Sequence, residues 1–159
     1  MRKVNEVIEI KDIEPMRVAY KTYEGDLRQA GRHMPSVFKA IKGRSNGSPF
    51  FSIYSSDPQT KIGKADLCVP TEETPVANDI FVKETPRVKA ACVLHQGSYE
   101  ELSVAYEQLA DYVRTQGLLV TGPCREVYIK GPGALLKGNP KKYLTEIQLP
   151  IDGSKADDY

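Results

Sequence analysis

Tryptophan is absent from this chain, so any flat ligand stacked on an aromatic ring must meet one of nine tyrosines or four phenylalanines. Histidine occurs twice, as His33 and His95, and cysteine three times, as Cys68, Cys92 and Cys124. An odd, widely spaced set of thiols fits neither a disulfide framework nor a zinc knot, and two distant histidines add no metal site. Such thiols suit a reducing, cytoplasmic compartment. An excess of one charge is also missing: 22 basic residues face 21 acidic ones. Phosphate recognition needs clustered Lys and Arg, so direct nucleic-acid binding has no compositional support. No apolar run approaches the roughly 20 residues that span a bilayer, and the start, Met1-Arg2-Lys3-Val4-Asn5-Glu6, lacks a signal-peptide core. Gly131-Pro132-Gly133 has neither the Lys-Ser/Thr nor the strand-to-helix setting of a phosphate loop, so it reads as a turn and implies no cofactor.

What is present is a pattern stated twice. Pro15-Met16-Arg17-Val18-Ala19-Tyr20 runs to Gly25, and Pro86-Arg87-Val88-Lys89-Ala90-Ala91 runs to Gly97. Each is a proline, a β-prone run and a glycine, and each leads into helical spacing. In the first copy Asp26 is placed to cap a stripe of Leu27, Ala30, Met34, Phe38 and Ile41 ending at Gly43, with Pro35 restarting the helix near Ser36. In the second, Ser98 and Glu101 have capping-box spacing ahead of Leu102, Ala105, Tyr106, Leu109, Tyr112 and Val113, and Gly117 is the stop. Two strands follow each helix: Pro49–Tyr54 and Ala65–Pro70, then Pro123–Tyr128 and Thr145–Pro150. The expected fold is α+β: a duplicated β-α-β-β module forming a pseudo-twofold antiparallel sheet, both helices on one face and a ligand groove between the halves. One domain is expected over residues 1–151, with repeats at about 7–70 and 80–151 and a polar, frayed tail at 152–159.

Side chains alternate along a strand. Phe51, Ile53, Leu67, Val69, Val127, Ile129, Ile147 and Leu149 are expected under the helices. Ser52, Tyr54, Asp66, Cys68, Glu126, Tyr128, Glu146 and Gln148 then share the other face. Tyrosines beside carboxylates suit a flat or cationic organic molecule through stacking, cation–π attraction and charge pairing. Cys68 is read as a small packing residue rather than a nucleophile. His33 is expected on the surface and His95 in a structural or solvent-facing role. Lys137, Lys141 and Lys142 are expected as a solvated loop surface.

The ordered set Pro15-Met16-Arg17-Val18, Tyr23-Glu24-Gly25, His95-Gln96-Gly97-Ser98-Tyr99-Glu100-Glu101-Leu102, Gly122–Ile129 and Leu144–Pro150 resembles the GyrI-like small-molecule-binding domains, also called AraC-type effector-binding domains. The resemblance runs from about Val7 to Ile151. It implies a groove along the pseudo-twofold axis, with Glu126 as the acid that meets cationic drugs and Glu146 as the later carboxylate. Tyr128 and Gln148 would line the same groove, with Tyr54 and Ser52 at the symmetry-related place in the first copy. Ser52 in place of an acid implies that one half alone kept the key carboxylate. Regulators of the family carry a helix-turn-helix domain first, and no such domain is expected here.

The expected function is therefore binding of a small amphipathic or cationic molecule without a DNA-binding part, at Glu126, Tyr128, Glu146, Gln148, Tyr54 and Ser52. Two alternatives come with the resemblance. One is hydrolysis of strained electrophilic compounds of cyclopropanoid type, with Glu126 as base and Tyr128 or Tyr54 as polarising donor. The other is a gyrase-inhibitor-like protein-interaction role. The expected partners are a small-molecule ligand and a protein partner or second copy, with no nucleic acid or membrane.

Overall fold

A computed structural model describes residues 7–131 and 139–155. Among them the strands are β1 (Ile8–Ile13), β2 (Arg17–Asp26), β3 (Phe50–Ser56), β4 (Ile62–Pro70), β5 (Phe81–Glu84), β6 (Val88–Gln96), β7 (Leu118–Val120), β8 (Cys124–Lys130) and β9 (Leu144–Lys155), with α-helices α1 (Met34–Ala40) and α2 (Leu102–Gln116). The fold is mixed α+β, and every strand pair whose register is described is antiparallel.

The chain forms two compact units that do not coincide with its two repeats. The first unit takes Glu14–Arg87 and Pro123–Glu126; the second takes the chain up to Ile13, Val88–Gly122 and the chain from Val127 onward. In the first unit the strands run β5, β2, β4, β3. In the second, β1 pairs with β6, β6 with β9, and β7 with the far end of β9. The opening strand of each repeat is thus traded. β1 precedes β2 in sequence but pairs with β6, and β5 precedes β6 but pairs with β2. The repeat is also richer than β-α-β-β, because each copy opens with this additional strand.

Local sequence explains the helices, with three shifts from expectation. The Asp26 side chain accepts from the Arg28 N–H and opens a 3-10 segment, Leu27–His33, ahead of α1. Pro35 sits in the first turn of α1, where its missing N–H costs no helix bond. A 3-10 segment advances by a third of a turn per residue, which rephases the stripe. Ala30, Val37, Ala40 and Ile41 are buried, and Phe38 is only half-buried. The second helix starts later than its capping-box spacing suggested. Ser98 precedes a 3-10 turn, Tyr99–Glu101, makes no side-chain capping bond, and leaves α2 to begin at Leu102. Leu102, Ala105, Leu109 and Val113 form its buried stripe, and Gly117 closes it at φ 66°. Each helix packs on strands of its own unit, α1 on β2 and β4, α2 on β6, β7 and β9. The third shift is at the expected tail. β9 continues to Lys155 because β7 gives it a partner, with Leu118 opposite Lys155. Residues 132–138 and 156–159, including Lys137, lie outside the described residues. Among the described residues no helix is long and apolar enough to cross a membrane.

Candidate functional site

The buried face of β6 and β9 carries Ala91, Val93 and Ile147 toward α2. Alternation turns Cys92, Leu94, Glu146 and Gln148 the other way, and β1 extends that side with Glu9 and Lys11. There Val7, Glu9, Lys11, Cys92, Leu94 and Glu146 line a pocket of about 490 Å³. Glu146 is only 9% exposed. Both its oxygens are engaged: Lys11 Nζ donates to Oε2 at 2.6 Å and Gln148 Nε2 donates to Oε1 at 2.7 Å. The bond to Glu146 holds the Lys11 ammonium above the usual lysine range.

The first unit repeats this arrangement with different chemistry around it. Asp66, 4% exposed, takes the place of Glu146. Thr22 Oγ1 donates to Oδ1 at 2.7 Å, while Tyr54 OH (2.7 Å) and Lys83 Nζ (2.5 Å) donate to Oδ2. Burial alone would raise the Asp66 pKa, but these three donors outweigh it and leave the carboxyl below its usual range. Burial likewise opposes the charge on Lys83, yet its bonds to Asp66 and Tyr54 carry it upward. The Tyr54 hydroxyl is raised, chiefly by burial and then by its bond to Asp66. Lys83 Nζ also lies 4.3 Å from the centre of the Tyr20 ring, which packs at 6.2 Å against Phe81. A β-bulge aims Tyr54 at the carboxylate. The register with β4 slips between Ile53 and Ser55, and the slip brings Ser55 O so close to Gly63 that a Cβ there would lie 2.0 Å from it.

The six expected site residues fall into groups. Glu146 and Gln148 are bonded to one another. Ser52, buried, stands opposite Asp66 on β4, and Tyr54 reaches the same carboxylate. Tyr128 packs edge-on against Tyr99 at 5.8 Å, and Tyr99 lies tilted against Tyr143 at 5.0 Å. Glu126 is half-buried in β8. Its neighbour Arg125 is the β8 side chain over the Phe50 ring, 5.6 Å from its centre, and its charge reaches Cys68. The buried acid beside Ser52 in the first repeat is thus Asp66, on the neighbouring strand.

Sequence reasoning missed the two lysines. Both lie on the short strands that open the repeats, and the alternation Ile8-Glu9-Ile10-Lys11 carried the signal for the first of them. Cys68 is buried and its thiol is pushed up to about 12, which removes it as a thiolate nucleophile near neutral pH. His95 is buried beside Ser98, with Nε2 3.2 Å from the Ser98 carbonyl, so it is structural rather than solvent-facing. His33 is half-buried, tilted against Tyr23 at 5.1 Å and 3.4 Å from Lys21 Nζ, rather than loose on the surface. Among the described residues no group of three His, Cys, Asp or Glu side chains could hold a metal.

The sequence pattern of the GyrI-like small molecule binding domain matches residues 6–152. No curated protein matches. Among solved structures, the C-terminal domain of EcmrR is similar over 95% of this chain and 100% of that domain, at 23% identity and a TM-score of 0.79. A hydrolase from Listeria innocua is similar over 91% of each chain, at 17% identity and a TM-score of 0.64. SAV2435, solved bound to tetraphenylphosphonium, is similar over 92% of this chain and 94% of its own, at 19% identity and a TM-score of 0.60.

Proposed function

Since this chain belongs to the GyrI-like small-molecule-binding domain family, we propose that it binds a lipophilic organic cation, with Glu146 as the counter-charge and Gln148 holding that carboxylate in place. The observation that carries this reading is a buried carboxylate at the wall of a pocket of about 490 Å³, a volume suited to a drug-sized molecule. Val7 and Leu94 give the pocket apolar surface. Its only described cation within bonding reach of Glu146 is Lys11, a half-exposed side chain on the edge strand. An incoming cation that displaces Lys11 keeps the buried charge paired, and the released ammonium is hydrated. The capture of tetraphenylphosphonium by SAV2435 supports this ligand class. Glu126, with Tyr128, is the carboxylate that the family resemblance implies, and the test includes it.

Tetraphenylphosphonium and the neutral triphenylphosphine oxide are titrated calorimetrically into the wild type, Glu146→Gln and Glu126→Gln. Binding of the cation and not of the oxide, weakened at least about tenfold (about 1.4 kcal/mol) in Glu146→Gln, is the expected result. Equal binding of both compounds sinks the charge argument. Loss in Glu126→Gln alone moves the site away from Glu146. Consumption of either compound over time would show turnover in place of capture.

A further inference from the structure

We propose that the cage around Asp66 in the first unit is a second ligand site, for a primary alkylammonium group, and that the chain keeps it filled with its own Lys83. Four features of the cage fit such a head group. The Asp66 side chain is 6% exposed, so a cation leaving it must be replaced by another cation or by a proton. Thr22 and Tyr54 fix the orientation of that carboxylate from two sides. The Tyr20 ring, 4.3 Å from Lys83 Nζ, offers its face to the charge, and the Tyr54 ring lies 5.9 Å away. The ammonium also donates to Tyr54 OH at 3.3 Å, so the cage rewards a nitrogen that still carries hydrogens. A quaternary nitrogen, with no N–H, cannot make these bonds.

Lys83 is the replaceable member of this set. It stands on β5, an edge strand of four residues that begins with exposed Phe81 and Val82, and its side chain is 30% exposed. Thr22, Tyr54 and Asp66 stand on β2, β3 and β4, longer strands paired with one another. A soluble alkylammonium takes the Asp66 and Tyr20 contacts while Lys83 swings into water. The tethered ammonium is a high-concentration competitor, so a soluble alkylammonium displaces it only at a correspondingly higher concentration, and further apolar contact, as at Phe81, lowers the concentration needed. The site uses side chains of the first unit alone, and its failure leaves the reading at Glu146 untouched.

The probe is n-butylammonium chloride, which reproduces the lysine side chain. Lys83→Ala is melted with the probe, with sodium chloride at the same ionic strength, and with 1-butanol. In parallel the wild type is titrated with the probe while the ring proton resonances of Tyr20 and Tyr54 are followed. The expected result is a rise in melting temperature of Lys83→Ala with butylammonium only, absent in Lys83→Ala/Asp66→Asn. A saturable ring shift in the wild type, at least about tenfold weaker than binding to Lys83→Ala, is expected alongside it. If Lys83→Ala does not fold, the wild-type titration decides: a saturable shift lost in Asp66→Asn supports the site. No saturable shift, or one that persists in Asp66→Asn, overturns it.

Discussion

Lys83 reaches Asp66 diagonally across an intervening strand: it stands opposite Val18 of β2, and Asp66 stands opposite Thr22, four residues further along. The other unit repeats the diagonal, with Lys11 opposite Ala90 of β6 and Glu146 opposite Leu94, again four residues along. The duplication therefore preserved a charge pair as well as a backbone. The pairs differ in surroundings: tyrosines crowd the first, and an open pocket adjoins the second.

Lys11→Met should bind tetraphenylphosphonium more tightly than the wild type, by about tenfold. The substitution removes the competing ammonium while retaining an apolar stem. Calorimetry beside the Glu146→Gln series measures it, and weaker binding would mean that Lys11 shapes the pocket rather than blocks it.

The Lys83–Asp66 pair should set both pH limbs of stability. Asp66 titrates below its usual 3.8 when folded, so its contribution is present above that value and fades as acid approaches the depressed folded pKa. Lys83 titrates above its usual 10.5, so its contribution is complete below that value and is lost as alkali passes the raised folded pKa. Urea melts from pH 2 to 12 should show Asp66→Asn flattening the acid limb and Lys83→Met the alkaline limb.

Gly63→Ala should lose at least about 2 kcal/mol, because its Cβ would meet a backbone carbonyl that the bulge in β3 cannot withdraw. Gly31→Ala is the control. Nothing lies within 4 Å of its Cβ position, and the change should be neutral or stabilising by up to about 1 kcal/mol. Urea denaturation followed by circular dichroism reads both, and equal effects would count against the bulge.

Leu109→Ala should cost about 2–5 kcal/mol, the range for a fully buried leucine. The readout is the urea midpoint at an unchanged slope.

Much of the fold was legible from spacing alone. Leu102, Ala105, Leu109 and Val113 recur at helical intervals and are the buried stripe of α2. Alternation set Leu67 and Val69 against Asp66 and Cys68, because successive strand side chains point to opposite faces, although both faces of β4 are buried there. The site was less legible for three physical reasons. Strand exchange brings Lys11 to Glu146 over 135 residues of sequence, a separation no local pattern encodes. Alternation put Tyr54 and Asp66 on one face, but the register slip between Ile53 and Ser55 that accompanies their bond has no signature in a period of two. On β8, Arg125 lies over Phe50, the residue opposite Cys68, and the phase of a short strand with mixed polar and apolar positions is not set by its sequence alone.

The traded opening strands also change what a break in the backbone would do. A protease cutting between β4 and β5 would divide the polypeptide into two pieces, yet neither piece would hold a complete unit. The amino-terminal piece would keep β1, which the second unit needs, and the other would keep β5, which the first unit needs. Each fragment is thus the complement of the other, and the nicked protein would still be joined by β-ladders, β1–β6 and β2–β5 among them, after its covalent link is gone. The same wiring makes the segment between the repeats a natural split point for a two-part reporter, in which reassembly of the fragments restores both charge pairs together.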